Sequence, residues 1–251
     1  MSAGRVQQLL VATLAFLVLA AGYGLRHQPD GRVHMWLRPG QGALIQTATG
    51  DYILLDGGED PVLLSSFLGE HMSLLQWHLD LVVLTRWWER STGAQVEVLR
   101  RYVPRRLWYP SSQPGESVQA RWWDVVARAE QFPMVPGLVY EHGGVRVRVV
   151  STAPVAVQVQ VGRLVLLYTP TLRADDGASL GQGATVWMTR ELPNEAPVLP
   201  TLVLLPASGA AVLPADLVLA HPRTTFLPTA PGQEVALTTD GVQFAWHWTK
   251  K

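Results

Sequence analysis

The chain contains no cysteine, which excludes disulfides, thiolate zinc sites and a cysteine nucleophile in one step. Lysine is almost absent too. All but two of the 20 basic residues are arginine, and 20 acids balance them, so no net charge draws in nucleic acid or an anionic membrane. Any charge-driven partner must be met by a local patch. Charged residues are only 16% of the 251, against 48% hydrophobic, which is too apolar for a disordered tail and enough to bury the core of one large domain or two small ones. The seven histidines (His27, His34, His71, His78, His142, His221 and His247) form no His-x-His and no His-Glu-x-x-His, and each reads as a structural or surface residue. Ser208 lacks the flanking glycines of a nucleophile elbow.

Long hydrophobic runs are scarce after the first 25 residues, but one opens the chain. From Leu9 to Ala21 only Thr13 is polar, and at about 1.5 Å per residue Val6 to Leu25 would just cover a hydrocarbon core of about 30 Å. Residues 1–25 therefore read as a transmembrane anchor or as a signal segment cleaved after the small residues that follow Val18. Arg5 precedes the run while Arg26 and Arg32 follow it, so the positive-inside count leaves orientation open. So short a leading tail stays inside, which places the remainder outside the cytoplasm, either membrane-anchored or secreted. Residues 26–31 hold the turn cluster Gln28-Pro29-Asp30-Gly31 and read as a linker into a folded domain over 32–251.

Short strand-like runs follow at Val33–Leu37, Ala43–Thr47 and Tyr52–Leu55, the last two joined by a tight turn at Thr49-Gly50-Asp51. Pro61–Met72 has helical spacing, Leu81–Leu84 is an unbroken apolar run, and helices are predicted over Gly93–Tyr102 and Ser117–Gln131 with a strand at Leu107–Tyr109 between them. Farther on, Val145–Val149, Val155–Val161 and Val242–Trp248 alternate apolar with polar residues as half-exposed strands do. Leu164–Leu167, Leu202–Leu205 and Leu217–Leu219 read as interior strands. Two meanders interleaved with helices predict an α/β sandwich of two mixed sheets with helices outside.

Three stretches in order, Gly40-Gln41-Gly42-Ala43-Leu44-Ile45, Ile53-Leu54-Leu55-Asp56-Gly57-Gly58 and Asp80-Leu81-Val82-Val83-Leu84-Thr85, resemble the metallo-β-lactamase fold. More narrowly, they are similar to the extracytoplasmic domain of ComEC-type competence proteins, which carry DNA across the membrane. The resemblance extends over about residues 9 to 248 and is specific in the first 60 or so folded residues. It implies an αββα sandwich preceded by one hydrophobic helix, with Gly40, Gly42, Asp56, Gly57 and Gly58 as its structural motif. The family follows its Leu-Thr with His-x-His-x-Asp-His, a metal-binding loop, and this chain instead reads Arg86-Trp87-Trp88-Glu89-Arg90-Ser91. The second ligand box aligns with Leu167-Tyr168-Thr169-Pro170 and the third with Pro206-Ala207-Ser208-Gly209-Ala210, neither with a His or a carboxylate in the ligand slot. Guanidiniums repel a dication rather than ligate it, so the resemblance implies a pseudoenzyme with no catalytic residue, no metal ligand and no cofactor.

Residues 51–80 carry six acids and no Lys or Arg, whereas 86–106 carries six arginines against Glu89 and Glu97. The basic stretch coincides with the loop that would have held metal. Arginine for phosphates and tryptophan for base stacking make a single-strand surface, so Arg86, Trp87, Trp88 and Arg90 are the candidate contacts to single-stranded DNA. Against this stands a plainer reading, in which the tryptophans fill volume and the arginines pair with the acidic stretch. The functional expectation is a membrane-tethered, non-catalytic accessory of DNA uptake that binds single-stranded DNA or a partner. Two alternatives stand beside it: a metal-dependent phosphodiesterase holding zinc or manganese through Glu89, Asp56, Asp175 and Asp176, and a structural scaffold for another envelope protein.

Overall fold

A computed structural model of the chain describes residues 10–15, 29–73, 76–87, 89–112, 116–170, 183–190, 192, 199–207, 215–230 and 232–249. Residues 10–15 are helical; the rest of the expected N-terminal anchor or signal segment lies outside the described residues, as do Trp88, Asp175 and Asp176. Among the described residues no helix is long and apolar enough to cross a membrane.

Among the described residues, alternating and continuous apolar runs build two mixed sheets. The first holds eight strands in the order β15-β14-β1-β2-β3-β4-β5-β6: β1 (Val33–Arg38), β2 (Gly42–Gln46), β3 (Tyr52–Asp56), β4 (His78–Val83), β5 (Val103–Tyr109), β6 (Glu130–Pro133), β14 (Glu234–Thr239) and β15 (Phe244–Thr249). The second holds seven, β13-β12-β11-β10-β9-β8-β7: β7 (Val139–His142), β8 (Val145–Thr152), β9 (Val155–Val161), β10 (Leu164–Thr169), β11 (Val186–Thr189), β12 (Leu202–Pro206) and β13 (Thr225–Thr229). Each sheet repeats one plan. In the first, β1, β2 and β3 run antiparallel and β3, β4, β5 and β6 run parallel. In the second, β8, β9 and β10 run antiparallel and β10, β11, β12 and β13 run parallel. Short turns suffice for the antiparallel pairs, while the parallel ones need crossovers, and this is why helices fall where they do.

The inner faces meet in one core in which Met35, Leu37, Ile45, Ile53 and Leu55 pack with Val147, Val157, Val159, Leu166 and Met188. The outer face of the first sheet is covered by helices. α1 (Pro61–His71) starts at Asp60, whose carboxylate accepts from the Val62 and Leu63 amides at 2.8 and 3.2 Å, with proline next at the first helical position. Its buried residues Leu64, Phe67 and Leu68 recur at the spacing of one helix face and join Leu44, Leu54 and Val82 of the sheet in a second apolar cluster. α2 (Glu89–Leu99) and α3 (Glu116–Val126) complete that layer.

Where the elements differ from the sequence reading, short runs are the cause. Leu217–Leu219, expected as a strand, lies in the helix α4 (Ala215–Ala220), with Asp216 in its first turn and Leu219 exposed. Three apolar residues cannot tell strand from helix, and the strand of that region is β13, at the edge of the second sheet. The helix expected to run to Gln131 stops at Val126 and gives way to the edge strand β6.

Candidate functional site

Parallel strands deliver their C-terminal ends to a common edge, and in open α/β sheets that is where ligands bind. Both sheets do so here at the same edge of the sandwich. A cleft of about 310 Å³ is lined by Pro39, Gly40, Gln41, Glu59, Asp60, Arg190, Pro206 and Thr229. Beside it lies a smaller cavity of about 10 Å³, lined by Gly40, Gln41, Asp56, Arg86, Tyr168, Pro170, Met188, Thr189 and Arg190. Gly40, Gln41 and Arg190 line both.

Asp56 anchors this edge. It ends β3 with a φ of 54°, in the left-handed region that Asp tolerates better than most side chains. Its Oδ1 accepts from the Thr85 amide at 2.8 Å, and its Oδ2 from the Thr85 hydroxyl and the Tyr168 hydroxyl, both at 2.6 Å. Thus β3 and the end of β4 are tied across the core to β10 of the other sheet. The Asp56 carbonyl accepts from Gln95 on α2, whose own carbonyl accepts from the Trp122 indole on α3. Burial pushes the Asp56 carboxyl up, against the pull of its Thr85 and Tyr168 hydrogen bonds and of the Arg86 charge. Burial likewise holds the Tyr168 phenol well above its ordinary value, reinforced by the Asp56 charge and hydrogen bond, while Arg86 and Arg190 pull it down. The phenol therefore stays protonated and donates.

The glycines beside Asp56 are required by close approach. A Cβ on Gly42, whose φ is 148°, would run into the Leu55 carbonyl and lie 2.9 Å from the Gly57 nitrogen. On Gly57 it would lie 2.7 Å from the Leu64 side chain of α1. Gly58 sits beside Gln41.

The tertiary structure gathers Gly40, Asp56, Arg86, Pro170 and Pro206, one from each motif picked out along the sequence, around these two cavities. The arginine-rich stretch is not gathered. Arg105 and Arg106 lie toward the start of β5, at the opposite end of the sandwich, where Arg105 pairs with Asp80 at 2.8 Å and Arg106 with Glu130 at 2.9 Å. Arg100 lies near Glu97 at the end of α2. Trp87 lines neither cavity: its indole donates to the Pro110 carbonyl at 3.1 Å, and its ring packs edge-on to Trp122 at 4.9 Å. Four aromatic rings, those of Trp87, Tyr109, Trp122 and Trp123, thus fill the space between β5 and α3. Arg90 lies in the first turn of α2. Trp88 is outside the described residues.

Arg190 was missed by the sequence reading. It follows β11, and the signal was present: Thr85-Arg86 follows β4 and Thr189-Arg190 closes β11, the same dipeptide at equivalent strand ends of the two sheets.

No protein-family model matches the chain, and no curated protein matches it. Solved structures do share its architecture. CmlA, a diiron β-hydroxylase from Streptomyces venezuelae, is 12% identical with a TM-score of 0.54 over 84% of this chain and 54% of that one. Igni18, a metallo hydrolase from Ignicoccus hospitalis, is 11% identical with a TM-score of 0.50 over 81% of this chain and 98% of that one. YhfI from Bacillus subtilis, a metallo-β-lactamase fold protein, is 14% identical over 79% and 95%, with a TM-score of 0.48. The chain spans about half the length of CmlA. Its fold is that of the metallo-β-lactamases.

That fold implies a metal centre at this edge, and the described side chains here do not fit one. A hydrolytic zinc site needs three or more imidazole, thiolate or carboxylate donors. Among the described residues no three His, Cys, Asp or Glu lie together in such a group, both Asp56 oxygens already accept hydrogen bonds, and Arg86 and Arg190 bring positive charge.

Proposed function

We propose that the chain is a non-catalytic protein of the metallo-β-lactamase fold that holds single-stranded DNA at the edge lined by Arg86. In this reading residues 1–25 tether it to the membrane, the domain lies outside the cytoplasm, and it serves as an accessory of DNA uptake akin to the ComEC-type domain it resembles. The observation that supports the reading is the meeting of Arg86 and Arg190 at the strand ends, where the fold otherwise gathers metal donors. Guanidiniums suit phosphates by charge and by their planar donor fork. A second reading, a hydrolase using zinc or manganese, is favoured by the fold likeness to the metallo hydrolase Igni18. It needs donors beyond Asp56, whose oxygens are committed.

Titration of the full chain, in mild detergent, with a fluorescent oligothymidylate at low and high salt separates the two. We expect affinity to fall with salt and on Arg86→Ala, with the strand left intact in the presence of zinc or manganese. Absence of binding at low salt would overturn the nucleic-acid reading; metal-dependent cleavage would establish the hydrolase.

A further inference from the structure

The two halves of the sandwich follow one strand plan, and Arg86 and Arg190 stand at the same place in each. Both follow the second of the parallel strands, β4 in one sheet and β11 in the other, and both come directly after a buried threonine. The two arginines line one small cavity from opposite sheets, together with Asp56 and Tyr168, whose hydroxyl donates to the Asp56 carboxylate. We propose that Arg86 and Arg190 form a two-armed clamp for a terminal phosphate group, the rest of the ligand lying in the adjoining cleft. This rests on the reading of the edge as a binding rather than a hydrolytic site, and it names the group bound.

The chemistry follows from the shapes. Each guanidinium carries five N–H donors in a rigid fork. Two forks from opposite sides match a tetrahedral oxyanion with three free oxygens better than a flat carboxylate, which one fork already satisfies. Space decides where the group sits. The inner cavity, about 10 Å³, is too small for a phosphate and holds the Asp56 carboxylate, which would repel one, so the group stays at its mouth in the cleft that Arg190 also lines. At about 310 Å³ that cleft is at the lower end of the range for a small ligand. Charge selects an end group over a strand laid across it, because Glu59 and Asp60 also line the cleft. Asp60 is engaged in capping α1, and both acids would repel further phosphates. The phosphate can come from a strand end or from a small phosphorylated molecule.

Calorimetric titration of the full chain with a thymidine dinucleotide carrying a 5′-phosphate, with the same dinucleotide lacking it, and with a sugar phosphate tests the clamp. The phosphorylated dinucleotide is expected to bind at least about tenfold more tightly than the other, the effect of gaining charge-assisted hydrogen bonds. Arg86→Ala and Arg190→Ala should each remove that difference, and Arg163→Ala, at the exposed β9–β10 turn, should leave it. Should an alanine variant fail to fold, Arg190→Lys keeps the charge without the fork and is expected to lose most of the gain. A sugar phosphate that binds as well as the phosphorylated dinucleotide upholds the clamp and points to a small molecule; one that binds more weakly upholds it and points to a strand end. Equal binding of the two dinucleotides, or a difference that survives both arginine variants, overturns it. Salt-sensitive strand binding indifferent to the end phosphate would overturn the clamp while leaving the nucleic-acid reading intact.

Discussion

Asp56 shows how one residue can define an edge of the molecule. Its backbone is left-handed, its side chain takes three hydrogen bonds and its carbonyl a fourth. Asp56→Asn keeps the shape and the left-handed tolerance, and its amide can turn toward the two hydroxyls, which accept as readily as they donate. We expect a cost within about 1 kcal/mol. Asp56→Ala leaves the Thr85 amide and the Tyr168 hydroxyl buried without partners, a loss of about 3 kcal/mol or more. Urea unfolding of the two variants measures the contrast, and equal losses would refute the hydrogen-bonding account. The sequence made Asp56 conspicuous through the Asp-Gly-Gly turn. It could not show Tyr168, which is 112 residues away and on the other sheet.

Among the elements, β1, β14 and α1 are joined by a buried ionic knot. The Arg38 guanidinium donates to Glu234 from Nε at 3.2 Å and from Nη2 at 3.1 Å, while His71 at the end of α1 lies 3.1 Å from the same carboxylate. The guanidinium also sits 4.0 Å over the Phe67 ring, and Glu70 approaches it at 3.7 Å. Burial opposes the Glu234 charge, but His71 and Arg38 outweigh it and hold the carboxyl below its ordinary 4.5. A depressed carboxyl contributes stability that is present above the unfolded value and lost as pH falls through the folded one. Glu234→Gln should therefore cost about 3 kcal/mol at neutral pH, because it leaves the buried Arg38 with only the more distant and more exposed Glu70 as charge partner. The gap from the parent chain should close below pH 4.5. Comparing variant with parent at each pH cancels the contributions of Asp56 and Asp80, which burial shifts the other way. A gap unchanged by acid would refute the linkage. This knot was not legible in the sequence, because β14 carries no long alternating run and Glu234 stands 196 residues from Arg38.

At the scale of the whole molecule, the two sheets share a single core and neither can bury its inner face alone. Ile53→Ala in the first sheet and Leu166→Ala in the second should each lower stability by about 2–4 kcal/mol and shift one common transition. Tryptophan fluorescence, with Trp108 in the first sheet and Trp187 in the second, should move together with far-UV circular dichroism. Separate transitions would show that the halves hold independently.

The sequence by itself determined the alternation of apolar and polar residues that makes strands, the helix at Pro61, and the glycine and aspartate turns of the first two motifs, because each depends on neighbours a few residues away. It also marked Gly40, Asp56, Arg86, Pro170 and Pro206 as positions of interest. Only the tertiary structure decided that these five meet at one edge, that Arg190 joins Arg86 there, that Trp87 belongs to an aromatic cluster, and that Arg105 and Arg106 face the opposite end. Parallel strands set residues far apart in the chain side by side at their ends and send near neighbours to opposite ends. A run of charge along the sequence is therefore not a patch of charge on the surface.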